Sequence, residues 1–198
     1  MRKAINHLRQ ADPVLAAIIS QVGPFRMPQR PADFWALSRS IVFQQLNGKA
    51  ASTIWDRLEK AAGGQVTPES VLALSEAQMR ACGLSRQMLS YVRDLARRTV
   101  SGEIDFAKMP EWTDEEVVEH LTRVKGIGEW TAQVFLMFAL RRPNVLPTGD
   151  YGLRAAMKKA YRMRTLPKPK RMHDVAKPWH PYRSVACWYL WRSLDTKL

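Results

Sequence analysis

The chain is short of the residues that build metal clusters and crosslinks. It carries two cysteines in 198 residues, Cys82 and Cys187, and neither belongs to a Cys-x-x-Cys pair. A structural zinc or an iron–sulfur cluster takes about four ligands, so both are excluded on this reading. Two isolated thiols read as reduced core residues. The four histidines, His7, His120, His173 and His180, show no ligand spacing. No apolar run approaches the roughly 20 residues of a membrane span. The first residues, Met1 to Gln10, lack the apolar core of a signal peptide. The expectation is an intracellular protein, cytosolic in a bacterium or nuclear in a eukaryote, with no membrane partner. Acidic residues are scarce too: 18 Asp and Glu face 31 Lys and Arg, a formal net charge of +13. Such an excess points to a polyanion as partner. Alternating apolar patterns and hairpin turn signals are absent, so the fold is read as all-α.

What is present is a series of capped helices. Asp12 and Pro13 open one over Pro13–Val22, and Gly23-Pro24 ends it. Asp33 caps a helix predicted from Phe34 to Leu46, with Phe34, Leu37, Ile41 and Val42 facing inward and Asn47-Gly48 as its stop. Another runs from Lys49 to Ala62. Thr67-Pro68 and Ser75 with Gln78 start two short helices, and Ser85 starts a longer one with Leu89, Val92, Leu95 and Ala96 as its apolar stripe. Arg93, Arg97 and Arg98 on that helix read as a solvated face. Trp35 and Trp55 read as core. Leu166 to Arg171 reads as an exposed basic loop whose natural partner is backbone phosphate.

The densest signal lies between Trp112 and Leu140. Thr113 and Glu116 form a capping box, and Trp112 is placed to staple against Val117. Val117, Leu121 and Val124 recur at helical spacing before Gly126-Ile127-Gly128 stops the helix. A second helix opens at Glu129 and is apolar nearly all round. A Gly-x-Gly turn that opens a helix aims unpaired N–H groups at the positive end of the helix dipole, which suits one phosphate. The turn alone fits an ordinary helix–helix connection equally well.

The longer string Lys125-Gly126-Ile127-Gly128-Glu129-Trp130-Thr131-Ala132 resembles the hairpin of the alkylbase DNA glycosylases, the 3-methyladenine DNA glycosylase II group of the helix–hairpin–helix superfamily. The resemblance implies DNA contact by Lys125, Gly126, Gly128 and Thr131. It also implies an essential aspartate after a short extended loop, and Asn144 to Gly152 fits that loop with Asp150 as the carboxylate. Read as local structure alone, Asp150 is also a good helix N-cap. Where lyase-active relatives carry a lysine, this chain has Trp130, which implies a monofunctional enzyme without lyase activity.

Three further segments share the resemblance, and one of them, Gly83-Leu84-Ser85 with Tyr91 to Ala96, reads as scaffold. Ser40 to Ala51 matches the helix end that meets DNA; it assigns Leu46 as the wedge that fills the gap of a flipped nucleotide, with Gln44 and Gln45 beside it on the DNA. Lys168, Lys170 and Arg171 are added as phosphate contacts. Pro181-Tyr182-Arg183-Ser184 opens a C-terminal helix whose Trp191 lines the base pocket with Trp130 and Tyr151. The family's hairpin often holds a monovalent cation on main-chain carbonyls; those map to Thr122, Val124 and Ile127, for Na⁺ or K⁺, with no other cofactor. The implied architecture is a single unit over 1–198, of two interlocked helical subdomains flanking a DNA and base cleft, with the hairpin at about 114–140. Longer relatives add an N-terminal β-sheet domain for which this chain has no room.

The expected activity is excision of alkylated bases such as 3-methyladenine and 7-methylguanine from double-stranded DNA, by a monomer. A glycosylase for deaminated or oxidised bases, and a non-catalytic helix–hairpin–helix binding module, remain as alternatives. The binding module leaves Asp150 and the aromatic C-terminal helix unexplained.

Overall fold

The computed structural model describes residues 1–44, 46 and 48–195, and Gln45, Asn47 and Thr196 to Leu198 lie outside that description. The described residues form twelve α-helices and two 3₁₀ turns, with no strand among them. They divide into two compact units, Met1–Gln29 with Leu136–Leu198, and Arg30–Phe135.

The unit of Arg30–Phe135 holds α3 (Phe34–Phe43), α4 (Gly48–Ala61), α5 (Pro68–Ala73), α6 (Glu76–Ala81), α7 (Arg86–Val100), α8 (Asp114–Thr122) and most of α9 (Glu129–Phe138). Local chemistry accounts for most of its helix starts. Asp33 accepts from the Ala36 N–H at 2.9 Å. Thr67, Ser75 and Thr113 each close a capping box, worth about 1 kcal/mol per cap. Trp112, placed by sequence to staple on Val117, has its ring against His120 at 4.3 Å. The core is filled by Phe34, Leu37, Ile41 and Val42 from α3 and by Leu89, Val92, Leu95 and Ala96 from α7. Trp55 is buried and meets the partly exposed Trp35 edge-on at 5.5 Å.

Two expectations for this unit change. α3 stops at Phe43 rather than Leu46; Gln44 leaves the helix with only a long 3.4 Å bond from its N–H to the Ile41 carbonyl. The arginines of α7 are not a uniformly solvated face. Arg93 reaches the Leu74 carbonyl, and Arg98 is bound to Asp94 at 3.0 Å and to Glu103. Only Arg97 is exposed.

The other unit holds α1 (Arg2–Ala11), α2 (Pro13–Val22), α10 (Tyr151–Ala160), α11 (Pro169–Val175) and α12 (Arg183–Asp195). Its hub is Asp12, only 6% exposed. Oδ1 caps α2 by accepting from Val14 and Leu15 N–H at 2.9 and 3.1 Å, while Oδ2 accepts from the Tyr161 hydroxyl at 2.6 Å and the Trp179 indole at 2.8 Å. Four donors compensate a buried carboxylate that would otherwise be costly. Burial, and then this bond to Asp12, push the Tyr161 phenol well above its ordinary value. Residues 169–171, expected within a loop, instead open α11, because Pro169 supplies the fixed φ of a first helical turn. From Ser184 to Leu190 every residue of α12 is buried, and Phe25 meets Trp188 at 4.7 Å.

Candidate active site

The first part of the site is the turn between α8 and α9. Val124 and Ile127 are buried, and the Ile127 N–H bonds back to the Val124 carbonyl at 3.1 Å. Gly126 has φ +80°, a conformation that favours glycine. A Cβ there would lie 2.0 Å from the Tyr91 ring. Tyr91 is held in turn by the Gln87 amide, which donates to its hydroxyl at 2.6 Å.

Two more side chains bond to this turn from behind. Asp94 Oδ2 accepts the Lys125 N–H at 3.0 Å. Burial raises the Asp94 carboxyl, but the Lys125 N–H and Arg98 outweigh it and hold the group below the usual carboxylate range. Gln44 Nε2 donates to the Gly126 carbonyl at 3.1 Å and to Thr131 Oγ1 at 2.9 Å. Thr131, expected on the DNA side, is 6% exposed and turned inward to Gln44. Gly128 differs from Gly126: it is exposed, its φ is not positive, and a Cβ would meet nothing within 4 Å. The fold therefore gives no reason for glycine at 128, whereas close approach of a ligand to the backbone does. The Glu129 carboxylate accepts from Gln133 at 2.8 Å, and the Lys125 side chain is exposed. The result is a rigid helix start, a kind of terminus whose first N–H groups have no intrahelical acceptor and suit one phosphate.

The second part is the segment before α10. Ser184 anchors it: its hydroxyl donates to the Arg142 carbonyl at 2.7 Å and accepts the Val145 N–H at 3.0 Å. This gives a physical role to the Pro-Tyr-Arg-Ser start of α12. Val145 and Leu146 are buried, and the Asp150 N–H bonds to the Pro147 carbonyl at 3.0 Å. Asp150 then caps α10. Its Oδ1 accepts from the Leu153 N–H at 2.5 Å and from the Trp191 indole N–H at 2.8 Å. Gly152 leaves room for this pair, since a Cβ there would stand 3.2 Å from Oδ1 and 3.5 Å from the Trp191 ring. Trp191 is stacked on Phe138, with centroids 6.1 Å apart and planes 27° apart. Cys187, fully buried one helical turn from Trp191, has its thiol pushed far up, first by burial and then by the Asp150 charge.

The capping and catalytic readings of Asp150 are thus compatible: the same bonds that cap the helix fix the carboxylate plane. Next to it Tyr151 is 71% exposed. It edges an open recess of about 580 Å³ that is also lined by Lys158, Lys159 and Arg162. Trp130 stands on the first turn of α9, 39% exposed. Leu46 is half-buried, Gln45 lies outside the described residues, and Lys168, Lys170 and Arg171 are all exposed. Among the described residues no cluster of His, Cys, Asp or Glu has the makings of a metal site, and no helix is long and apolar enough to cross a membrane. Sequence reasoning missed Tyr91 and Asp94, which lie 35 and 31 residues before the turn they hold.

The model of the HhH-GPD superfamily of base excision DNA repair proteins matches residues 38–181. DNA-3-methyladenine glycosylase 1 of Schizosaccharomyces pombe is 32% identical over 98% of this chain and 87% of its own length. The structure of the Schizosaccharomyces pombe 3-methyladenine DNA glycosylase in complex with abasic DNA superposes with a TM-score of 0.87 at 32% identity, covering 98% of this chain and 97% of that one. A DNA-3-methyladenine glycosidase from Bacillus halodurans superposes with a TM-score of 0.84 at 38% identity, covering 94% and 86%. The chain is a member of the HhH-GPD superfamily of base excision DNA repair proteins and, within it, of the 3-methyladenine DNA glycosylase family.

Proposed function

We propose that this chain is a monofunctional DNA glycosylase that flips alkylated bases of the 3-methyladenine and 7-methylguanine type out of double-stranded DNA and hydrolyses their N-glycosidic bond. The observation that carries the reading is the Asp150 carboxylate, locked by the Leu153 N–H and the Trp191 indole at the start of α10.

Each part has a chemical task. The α8–α9 turn takes a backbone phosphate on its N–H groups, which positions the duplex without reading sequence. Lys168, Lys170 and Arg171 add affinity through other phosphates. Leu46 enters the gap left by the flipped nucleotide and offsets part of the unstacking cost, a few kcal/mol. Trp130, Trp191 and Tyr151 stack on the extruded base, and an alkylated purine is cationic, so indole and phenol faces attract it. Bond cleavage builds positive charge on the sugar. A fixed carboxylate stabilises that charge without reorganising, and it orients the attacking water. Alkylation has already weakened the bond, so no separate acid on the base is needed. Trp130 stands where lyase-active relatives carry lysine; an indole forms no Schiff base, so the product is an intact abasic site. The same reading places a monovalent cation on the main-chain carbonyls of Thr122, Val124 and Ile127, whose oxygens have lone pairs to offer it.

The test is base release from methylated duplex DNA by wild type and Asp150→Asn, with borohydride added in parallel. Release of 3-methyladenine or 7-methylguanine by wild type alone, with no trapped adduct, supports the reading. A covalent adduct overturns the monofunctional assignment. Release of only deaminated or oxidised bases overturns the substrate class. DNA binding without release of any base reduces the chain to a binding module.

A further inference from the structure

The wedge and the phosphate anchor must act on the same few nucleotides, and one side chain joins them. Gln44 follows the last residue of α3 and stands two positions before Leu46. Its Nε2 donates both to the Gly126 carbonyl and to Thr131 Oγ1. The Gly126 carbonyl only accepts, so the nitrogen of the amide must face it. Thr131 is buried on the first turn of α9. Both bonds therefore point into the protein, at the turn, rather than outward to a base.

The turn does not depend on Gln44 for its shape. Asp94 holds the Lys125 N–H, and the Tyr91 ring closes on Gly126. Gln44 itself, among the described residues, leaves α3 through one long backbone bond, its N–H to the Ile41 carbonyl at 3.4 Å. The side-chain amide of Gln44 then sets where it stands against the turn.

We propose that Gln44 is a positioning residue that couples the wedge to the phosphate anchor, so that Leu46 enters the duplex at a fixed offset from the phosphate held by the turn. The proposal rests on the wedge role given to Leu46 above. An unregistered wedge has to be ordered during insertion, and that loss of conformational freedom is charged only when a gap is being filled. Binding to intact duplex, which uses the turn and the basic side chains, does not involve it.

The experiment measures affinity for a duplex with a tetrahydrofuran abasic analogue and for the same duplex undamaged, together with thermal melting. An abasic analogue has no base to release, so the result is independent of the lesion specificity proposed above. The expected outcome for Gln44→Ala is an unchanged affinity for intact duplex and about a 10-fold loss of the preference for the abasic duplex, the effect of one or two buried hydrogen bonds. Gln44→Glu, which sets an anion against the Gly126 carbonyl, loses the preference to a similar extent. Thr131→Val keeps the bond to Gly126 and loses about 3-fold; it takes the place of Gln44→Ala if that variant fails to fold. General destabilisation lowers both affinities together, and that result overturns the proposal. Leu46→Ala separates the two readings. If it leaves the abasic preference intact, the wedge role falls and the coupling with it. If it abolishes the preference while Gln44→Ala and Thr131→Val do not, the wedge stands and the coupling alone is wrong.

Discussion

The α8–α9 turn and the segment before α10 each open a helix, and they are held in opposite ways. At the turn, side chains from elsewhere grip a backbone: Asp94 the Lys125 N–H and Tyr91 the bare Cα of Gly126. At Asp150 the side chain is the gripped object, held by a backbone N–H of its own helix and by Trp191. Under the proposed function the difference follows from what each presents. A phosphate is bound by backbone N–H groups, so the backbone must be rigid. A sugar cation is stabilised by a carboxylate, so the carboxylate must be rigid. Variants should therefore separate cleanly into those that move chemistry and those that move the scaffold.

The largest effect is expected at the gripped side chain. Asp150→Asn keeps the cap, because Asn caps about as well as Asp and still accepts from Leu153 and Trp191. It removes the charge. Base release in single-turnover assays should fall by about 10²- to 10³-fold, while affinity for abasic-analogue DNA and the melting temperature stay close to wild type. A parallel loss of binding would show that the acid also serves the scaffold. At the gripped backbone the effect should be structural instead. Gly126→Ala adds a Cβ 2.0 Å from the Tyr91 ring, at a φ that strains any side chain. The combined strain and overpacking cost about 3 kcal/mol, or roughly 10 °C in melting temperature for a chain of this size. A melt within 2–3 °C of wild type would mean that Tyr91 yields easily and is no clamp.

Next comes Asp94. Its carboxyl lies below its ordinary value in the folded protein. A lowered folded value contributes stability that is complete above the unfolded value of about 4 and disappears as pH falls through the folded value. Asp94→Asn should therefore cost about 2 kcal/mol at neutral pH, the worth of hydrogen bonds to a charged group. The gap to wild type should begin to narrow below about pH 4 and close as pH falls through the lowered folded value. Denaturant melts at pH 7 and pH 3 check both halves. An equal gap at the two pH values would assign the loss to packing.

These residues also mark where the sequence stops being readable. Features set by neighbours in the chain are visible there: the caps at Asp12, Asp33, Thr67 and Thr113, the Gly-x-Gly turn, and Asp150 as a cap. The clamps are not. Helical spacing places Asp94 and Arg98 on the side of α7 away from the Val92, Leu95 and Ala96 stripe, where an i,i+4 pair reads as solvated. Yet that side delivers Asp94 to Lys125, and the carboxylate is buried there. α1 is hidden for the converse reason: only Ala4 and Leu8 are buried on it, too little pattern to register. Gln44 sits in a segment that resembles a DNA-contacting one, so its inward bonds to Gly126 and Thr131 have no local signature. The Trp191–Asp150 bond joins positions 41 residues apart, and only Gly152 hints at it by leaving room.

A smaller effect should sharpen the acid side of the comparison. Trp191→Phe keeps an aromatic ring to stack on Phe138 and on a base, and deletes only the N–H that holds Asp150 Oδ1. One lost hydrogen bond to a carboxylate corresponds to about a 10-fold drop in kcat with little change in KM. A rise in KM at constant kcat would move Trp191 from holding the acid to binding the base alone.

The smallest expected effect is the most pointed, because it contrasts two glycines two residues apart. Gly126 is required by the protein itself: its φ is +80° and Tyr91 fills the space a side chain would take. Gly128 has neither reason; it is exposed and a Cβ there meets no atom within 4 Å. Alanine at 128 should leave stability within about 0.5 kcal/mol of wild type, since Gly and Ala differ little next to a helix start. What it changes is the approach to the N–H groups that follow. A methyl group there keeps a phosphate from closing to hydrogen-bond distance, so affinity for intact duplex should fall about 3- to 10-fold. Melting and binding isotherms on Gly126→Ala and Gly128→Ala, measured together, decide the matter. If Gly128→Ala unfolds the turn as Gly126→Ala does, or binds DNA as wild type does, the phosphate is not held on this helix start. In that case the rigidity supplied by Asp94 and Tyr91 serves packing rather than binding.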